Sequence, residues 1–252
     1  MASLKKFNID KETIDILSKC NIEGKVLYMP DIQLERDTYE KVNKTLVALG
    51  AKWNKKSKGH VFDYDITESL KLVVQTGEVT DWKKSTDFFH TPEAVVSEML
   101  GLVPMYTLEE FTFLEPSAGQ GHILDLVKEN FPNVITYCVE QNPLHCERLK
   151  EKGYNPIQED FLNIKPFDVD VILMNPPFTY EIEHIQHAYK FVKENGILIS
   201  ITSAGILTKS TKKGKEFLEW YKENCGYDYV LPAGSFKESG TNVNTKMLVF
   251  QK

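Results

Sequence analysis

Residues 169–178 read Val-Asp-Val-Ile-Leu-Met-Asn-Pro-Pro-Phe, an apolar run that ends abruptly in an amide, two prolines and an aromatic ring. A run of six residues with a single charge is typical of a strand buried on both faces of a parallel sheet. Proline ends such a strand because it has no N–H and a fixed φ. The stretch predicts the central strand of an α/β fold, with Asn175 at the carboxyl edge of the sheet.

The four residues that follow this strand are suited to holding a flat ring that carries an amino group. Asn175 offers a side-chain carbonyl, and Pro176 and Pro177 hold backbone carbonyls that lack the usual local N–H partner. Phe178 adds a stacking face. These four are the candidate catalytic residues. The alternative is an ordinary turn after a strand.

Strand and helix patterns alternate along the rest of the chain from about residue 92. This alternation predicts a doubly wound, mostly parallel sheet with helices on both faces. No helix separates the last two strands, so the last strand should be antiparallel. The sheet should have seven strands, at residues 111–114, 134–139, 155–158, 169–174, 196–202, 227–231 and 246–250.

The first 80 residues have a different pattern, typical of a small α+β unit. Helices are expected from Asp10 to Leu17, from Asp37 and over 67–75, with a strand at 24–29 and a hairpin over 51–62. The polar stretch 77–87 is the expected boundary. We therefore predict two domains, 1–80 and 86–252.

Composition excludes several classes of protein. A chain of 252 residues with 42% hydrophobic residues can bury a large core. No apolar run approaches the roughly 20 residues that span a bilayer, and the N-terminal residues do not resemble a secretory signal. The four cysteines are scattered without a CxxC pair, which predicts a reducing, cytoplasmic setting without zinc or disulfides. His184 and His187 lie three apart without a third ligand, so no metal site is expected.

The net charge of −6 argues against a uniformly basic nucleic-acid surface, but two lysine clusters stand out. One should follow the strand 196–202 on the same edge as Asn175, where it could contact phosphates. The other surrounds Trp53 at the tip of the 51–62 hairpin, where an aromatic ring could stack a base. The alternative for each is a solvated charge run. The candidate nucleic-acid-binding residues are Lys209, Lys212, Lys213 and Lys215, and Lys52, Trp53, Lys55, Lys56 and Lys58.

A glycine-rich turn follows the first strand of the alternating region. Residues 114–123 read Leu-Glu-Pro-Ser-Ala-Gly-Gln-Gly-His-Ile, and the glycines let the backbone turn tightly against a ligand. Glu140, 19 residues after Gly121, ends the next strand, where a carboxylate can accept both hydrogen bonds of a ribose diol. Position 124 is leucine rather than a third glycine, which disfavours a nicotinamide cofactor.

Asp160 and Phe161 follow the expected third strand. An aspartate there can accept a hydrogen bond from an adenine amino group while the phenylalanine packs on the ring. The alternative is a turn aspartate and a core phenylalanine.

Taken together and in order, these motifs resemble those of class I S-adenosylmethionine-dependent methyltransferases, and more narrowly the N6-adenine DNA methyltransferases. The resemblance covers residues 86–252, and the final hairpin segment 235–241 is also similar. It implies a Rossmann-like fold and S-adenosylmethionine as cofactor. The motifs that carry it are Phe89-His90-Thr91-Pro92, Glu115-Pro116-Ser117-Ala118-Gly119-Gln120-Gly121, Glu140, Asp160-Phe161 and Asn175-Pro176-Pro177-Phe178.

The resemblance also implies roles for individual residues. Thr91, with Phe89 and Pro92, would lie at the methionine carboxylate. Glu140 and Gln141 would hold the ribose, and Asp160 and Phe161 the adenine of the cofactor. The methionine portion would be surrounded by Glu115, Pro116, Ser117, Ala118, Gly119 and Gly121, and Asn175 would also contact the cofactor.

The implied reaction is methyl transfer to N6 of a flipped-out adenine in DNA. Two enzymatic alternatives keep the cofactor, namely methylation of an exocyclic amine in RNA or of a protein glutamine. A non-catalytic, methyltransferase-like DNA-binding subunit is the third alternative. After Phe178 the chain is just long enough to finish the sheet, so a separate recognition domain has no room. Specificity would come from the N-terminal unit and the short loops, from a partner subunit or a second copy, or would be low.

Overall fold

The computed structural model describes residues 6–62, 65–81, 90–104, 110–224, 227–237 and 243–252. The chain forms two compact units, Met1–Thr86 and Asp87–Lys252. None of the helices in the described ranges has the length and hydropathy needed to cross a bilayer.

The N-terminal unit is an α+β structure with two small antiparallel sheets. One sheet has the strand order β2-β3-β5-β4, and β1 pairs with β6 in the other. The three predicted helices and the hairpin over 51–62 are confirmed. The elements are β1 (Lys6–Asn8), α1 (Lys11–Ser18), β2 (Asn21–Glu23), β3 (Val26–Tyr28), α2 (Arg36–Ala48), β4 (Lys52–Asn54), β5 (Gly59–Val61), α3 (Thr67–Thr76) and β6 (Glu78–Thr80).

Local chemistry explains why α1 begins where it does. The Asp10 carboxylate accepts the Thr13 backbone N–H at 2.9 Å and the Thr13 hydroxyl at 2.7 Å, which caps the helix.

The pairing of β1 with β6 was not predicted. Strands of three residues carry too little periodicity to be recognised, and these two lie about 70 residues apart. The expected boundary at 77–87 therefore contains a strand, and its residues 82–87 lie outside the described ranges.

The C-terminal unit is a six-stranded sheet with helices on both faces. Its strand order is β11-β12-β10-β9-β7-β8, and β12 runs antiparallel to both of its neighbours, as predicted. The elements are α4 (Glu93–Gly101), β7 (Thr112–Glu115), α5 (His122–Asn130), β8 (Ile135–Cys138), α6 (Pro143–Glu151), β9 (Val169–Met174), α7 (Glu181–Ala188), β10 (Val192–Ser203), α8 (Lys212–Asn224), β11 (Tyr227–Val230) and β12 (Thr245–Gln251).

The prediction of seven strands was wrong by one. The expected strand at 155–158 is a single parallel bridge between Val139 and Ile157. Ile157 donates to the Cys138 carbonyl at 2.9 Å, but the next N–H on the same side, that of Glu159, turns back to the Ile157 carbonyl at 3.1 Å, so the ladder ends after one bridge.

The side chains of β9 explain its apolar sequence, because alternate residues enter the two cores on either face of the sheet. Val171 and Leu173 pack with the α4–α5 side, whereas Ile172 and Met174 pack with the α7–α8 side. All four are almost fully buried. β9 lies between β10 and β7, near the centre of the sheet. Asn175, the residue after it, therefore lies near the middle of the carboxyl edge.

Candidate active site

The loop after β7 contains two glycines in backbone conformations that other residues avoid. Gly119 has a φ of 53° and Gly121 a φ of 82°, both in the left-handed region. A Cβ at Gly121 would lie 2.7 Å from Cδ2 of Leu149. The glycines therefore allow the loop to turn tightly into α5 and to pack closely against α6.

Glu140, just after β8, holds this loop in place. One carboxylate oxygen accepts the Gly119 N–H at 2.7 Å and the other accepts the Asn142 N–H at 2.7 Å. Gln141 lies between these contacts and is half-buried. The carboxylate thus joins the glycine loop to the start of α6.

Glu115, the last residue of β7, is buried beneath the loop. Its carboxylate accepts the Leu124 N–H at 3.1 Å, inside the first turn of α5. Burial raises the pKa of Glu115 well above its usual range. Pro116, Ala118 and Gly119 are buried as well. Contact of Glu115 with the methionine portion of a cofactor stays a prediction.

Asp160 and Phe161 have local structural roles. Asp160 caps a short 3-10 helix, Phe161–Asn163, by accepting the Leu162 N–H at 3.0 Å. The Phe161 ring is 2% exposed and packs against the rings of His184, His187 and Phe191. Their proposed contacts with adenine stay predictions.

The Asn175 side chain, at the end of β9, meets a residue 84 positions earlier in the chain. Its amide nitrogen donates to the Thr91 hydroxyl at 3.1 Å. Thr91 is 5% exposed and lies directly before Pro92, which precedes α4. This contact turns the amide so that its oxygen faces away from Thr91.

The segment before α4 is also held at the start of α5. The rings of His90 and His122 meet edge to face with centroids 3.9 Å apart. Burial, and then the neighbouring His90, lowers the pKa of His122 to about 4. Phe89, predicted to lie near the cofactor, falls outside the described residues.

Known proteins share this architecture. No protein-family model matches the chain. A solved structure assigned as a class I S-adenosylmethionine-dependent methyltransferase from Listeria monocytogenes aligns with a TM-score of 0.54 at 17% identity, over 74% of this chain and 67% of that one. The chain has the class I methyltransferase fold.

Two further proteins are similar to this methyltransferase-fold chain. A structure assigned as a modification subunit of a type I restriction enzyme from Vibrio vulnificus has a TM-score of 0.54 at 19% identity, over 85% of this chain and 52% of that one. Modification methylase CviBIII of Paramecium bursaria Chlorella virus NC1A is 31% identical over 106 residues. That match covers 40% of this chain and 28% of the methylase.

In this fold, the segment after Asn175 leads from the sheet edge into α7. Pro176 is buried. The expectation that the Pro177 carbonyl lacks a local partner was wrong, because it accepts the Tyr180 N–H at 2.9 Å in a short 3-10 helix, Phe178–Tyr180. The half-buried Phe178 ring packs against the core on the α4–α5 face of the sheet.

A buried carboxylate that the sequence analysis missed fixes the start of α7. Glu181 is 1% exposed and accepts the Ser203 N–H at 2.8 Å, the Ser203 hydroxyl at 2.7 Å and the Lys209 ammonium at 2.7 Å. Nothing local in the sequence distinguishes it from a surface glutamate. The contact ties the segment after Phe178 to the end of β10.

The lysine cluster near α8 was predicted to bind phosphate, and the structure corrects this prediction for one of its members. Lys209 was predicted to contact phosphate, but it pairs with the buried Glu181 because that carboxylate needs a counter-charge. Lys213 pairs with Glu183, and Lys212 lies 3.8 Å from Glu216. Lys212, Lys213 and Lys215 are all exposed, and phosphate contact by them stays a prediction.

The two histidines of α7 are structural in the described chain. Nδ1 of His184 lies 3.3 Å from the Ser117 hydroxyl, which joins α7 to the glycine loop, and Nε2 of His187 lies 3.0 Å from the Ile164 carbonyl. Burial lowers the pKa of His184 to about 4. Over the described ranges, no group of three or more His, Cys, Asp or Glu side chains could hold a metal ion.

The second lysine cluster lies on the hairpin of the N-terminal unit. Lys52 and Trp53 are on β4, and Lys55, Lys56 and Lys58 are in the turn to β5. All five are exposed. Their contact with nucleic acid stays a prediction.

Proposed function

We propose that this chain transfers a methyl group from S-adenosylmethionine to the N6 amino group of adenine in DNA. The observation that carries the proposal is the Asn175 amide, held by Thr91 at the carboxyl edge of β9. Similarity to a modification methylase over 106 residues supports a nucleic-acid substrate.

The residues at the ends of β7 and β8 fit this cofactor. A carboxylate has about four acceptor positions, and the Gly119 and Asn142 N–H groups use two of those on Glu140. The others are suited to the two hydroxyls of a ribose. Gly119 and Gly121 have no side chains, so the backbone can lie against the methionine portion. When bound, S-adenosylmethionine supplies a methyl group already activated by its sulfonium.

The chain's own residues would then orient the substrate amine. N6 of adenine is a poor nucleophile because its lone pair is delocalised into the ring. Hydrogen bonds from its two N–H groups to the Asn175 side-chain oxygen and the Pro176 carbonyl favour a nitrogen whose lone pair points at the methyl donor. Thr91 restricts rotation of the Asn175 amide, so the side-chain oxygen is oriented before the substrate arrives.

Phe178 would stack on the flipped base. Extrusion from a duplex costs a few kcal/mol, and stacking offsets part of that cost. No strong general base is required, because the proton can leave after the methyl group has been transferred.

Tritiated-methyl transfer to DNA, RNA and protein, followed by nucleoside and amino-acid analysis, tests the proposal. We expect label on N6-methyladenine from DNA. Asn175→Ala should lower the transfer rate by about 100-fold or more and Phe178→Ala by about tenfold, with cofactor affinity by calorimetry unchanged. Asn130→Ala, at the exposed end of α5, serves as the control.

The alternatives give different results in the same assay. Label on RNA amines would show that the substrate is RNA rather than DNA, and label on glutamine would show that it is a protein. Cofactor binding without transfer to any substrate would indicate a non-catalytic subunit. Equal loss of cofactor affinity and transfer in Asn175→Ala would contradict the role of the amide.

A further inference from the structure

The N-terminal unit contains an aromatic-lined groove built from other residues than those proposed to hold the cofactor. Its volume is about 440 Å³, and it lies between the end of β3, the segment leading into α2 and the β4–β5 hairpin. We call it the aromatic groove. It is lined chiefly by Tyr28, Ile32, Arg36, Tyr39, Trp53 and Lys58.

Several large side chains of the groove are unusually open to solvent. Trp53 is 51% exposed, Tyr39 41% and Ile32 52%. Large apolar side chains gathered in one concave surface are typical of a binding site. The groove therefore has the character of a surface that receives a ligand.

Trp53 is held in place from one side. Its ring meets the buried His60 ring at 5.1 Å in an edge-to-face arrangement. His60 in turn lies 3.0 Å from the side-chain oxygen of Asn43 on α2. A ring that is fixed on one side and half-exposed loses little conformational entropy when a planar group stacks on it.

The two charged side chains that line the groove are both basic. Arg36 and Lys58 line it, and neither Lys56 nor Lys58 forms an ion pair within the described ranges. The turn that carries these lysines is fixed by Asn54, whose side-chain oxygen accepts the Lys56 N–H at 2.8 Å. Asp31, Glu35, Asp37 and Glu40 lie in the same segment but do not line the groove. Glu40 pairs with Arg36 at 2.9 Å at the surface.

We propose that the aromatic groove binds an unpaired nucleobase of a single-stranded DNA segment. Trp53 and Tyr39 would stack the base, while Arg36 and Lys58 would contact the neighbouring phosphates. Bases inside a duplex have both faces covered by their neighbours, so open aromatic rings select unpaired bases. The choice of DNA as ligand rests on the proposed function.

Binding of a fluorescein-labelled oligothymidylate to the full chain, followed by anisotropy, tests this groove. Oligothymidylate has no adenine, so its affinity does not report on the proposed methylation pocket. We expect Trp53→Ala and Tyr39→Ala each to weaken binding about tenfold, and Trp53→Phe to retain most of the affinity. Tyr227→Ala, an exposed aromatic on β11, is the matched control and should bind as the unaltered chain.

An abasic strand of equal length and charge separates stacking from phosphate attraction. It should bind more weakly than oligothymidylate and be insensitive to Trp53→Ala. Equal affinity of Trp53→Ala and the unaltered chain for oligothymidylate would overturn the proposal. So would a dimer, seen by sedimentation, that Trp53→Ala dissociates without changing strand affinity, because the groove would then join two copies.

The two proposals fail in different ways. If the chain methylates adenine in DNA but Trp53→Ala binds oligothymidylate normally, the groove proposal is wrong and the proposed function stands. If Trp53 is needed for strand binding but no nucleic acid is methylated, the groove proposal is supported and the proposed function is wrong.

Discussion

The hydroxyl of Thr91 can take part in two hydrogen bonds at once. It accepts from Asn175 at 3.1 Å, and its own hydrogen can still be donated, for example to a methionine carboxylate. A single residue could therefore align the amide that grips the substrate with the group that anchors the cofactor.

Thr91→Val tests this coupling, because valine has a similar shape without the hydroxyl. Loss of one hydrogen bond of about 1 kcal/mol predicts a fall in kcat of about fivefold. Thr91→Ser should retain activity. Cofactor affinity, measured by calorimetry, distinguishes the roles. If affinity falls while kcat is unchanged, the residue serves the cofactor alone and the contact with Asn175 is not used.

His184 should make stability depend on pH. Its folded pKa of about 4 lies below the usual value near 6.5, so the unfolded chain binds a proton first as the pH falls. Unfolding free energy should therefore decrease between pH 6.5 and about 4, by up to about 3 kcal/mol from this group. Glu115, whose pKa is raised, acts with the opposite sign.

Urea unfolding of His184→Gln across this pH range isolates the effect. The variant should lose less stability than the unaltered chain on acidification, since glutamine does not titrate. Parallel profiles for the two proteins would contradict this prediction, because they would show that the pKa of His184 is the same in the folded and the unfolded chain.

At the scale of elements, α7 is fixed to the sheet by one buried carboxylate. Glu181 accepts three hydrogen bonds from Ser203 and Lys209, whereas Glu183, two residues on, pairs with Lys213 at the surface. The first contact is buried and the second is solvated, so breaking the first should destabilise the protein more than breaking the second.

Glu181→Gln and Glu183→Gln form a matched pair of variants. We expect the first to lower the unfolding free energy by about 2 kcal/mol, because it removes the buried negative charge that pairs with Lys209. The second should cost less than about 1 kcal/mol. Glu181→Gln should also slow methyl transfer, since α7 follows the Phe178 segment. Equal stability of the two variants in urea unfolding would contradict the structural role of Glu181.

At the scale of the whole molecule, a net charge of −6 means that the proposed DNA substrate would have to be attracted by local cation clusters. Lys212 and Lys215 on α8 are exposed, and Lys212 lies 3.8 Å from Glu216, whereas Lys222 on the same helix pairs more closely with Glu219, at 2.8 Å. The first two should therefore contact phosphate more readily than the third.

The salt dependence of DNA binding measures these contacts. Replacing Lys212 and Lys215 together by glutamine should reduce the slope of log K against log salt concentration by about 2, equally for all DNA sequences. Lys222→Gln should leave the slope unchanged. An unaltered slope in the double variant would place the DNA elsewhere on the molecule.

The amino-acid sequence by itself determined the α/β alternation, the central strand 169–174, the glycine turn and the antiparallel last strand. These follow from local signals, because apolar periodicity, glycine conformation and proline chemistry act over a few neighbouring residues.

Only the tertiary structure decided which side chains meet. Thr91 and Asn175 are 84 residues apart, Ser117 and His184 are 67 apart, and the counter-charge of Lys209 is a glutamate 28 residues earlier. Hydrogen bonds reach about 3 Å in space whatever the separation along the chain, so no local pattern announces them. For the same reason the aromatic groove, built from β3, α2 and β4, becomes visible only after these elements have packed.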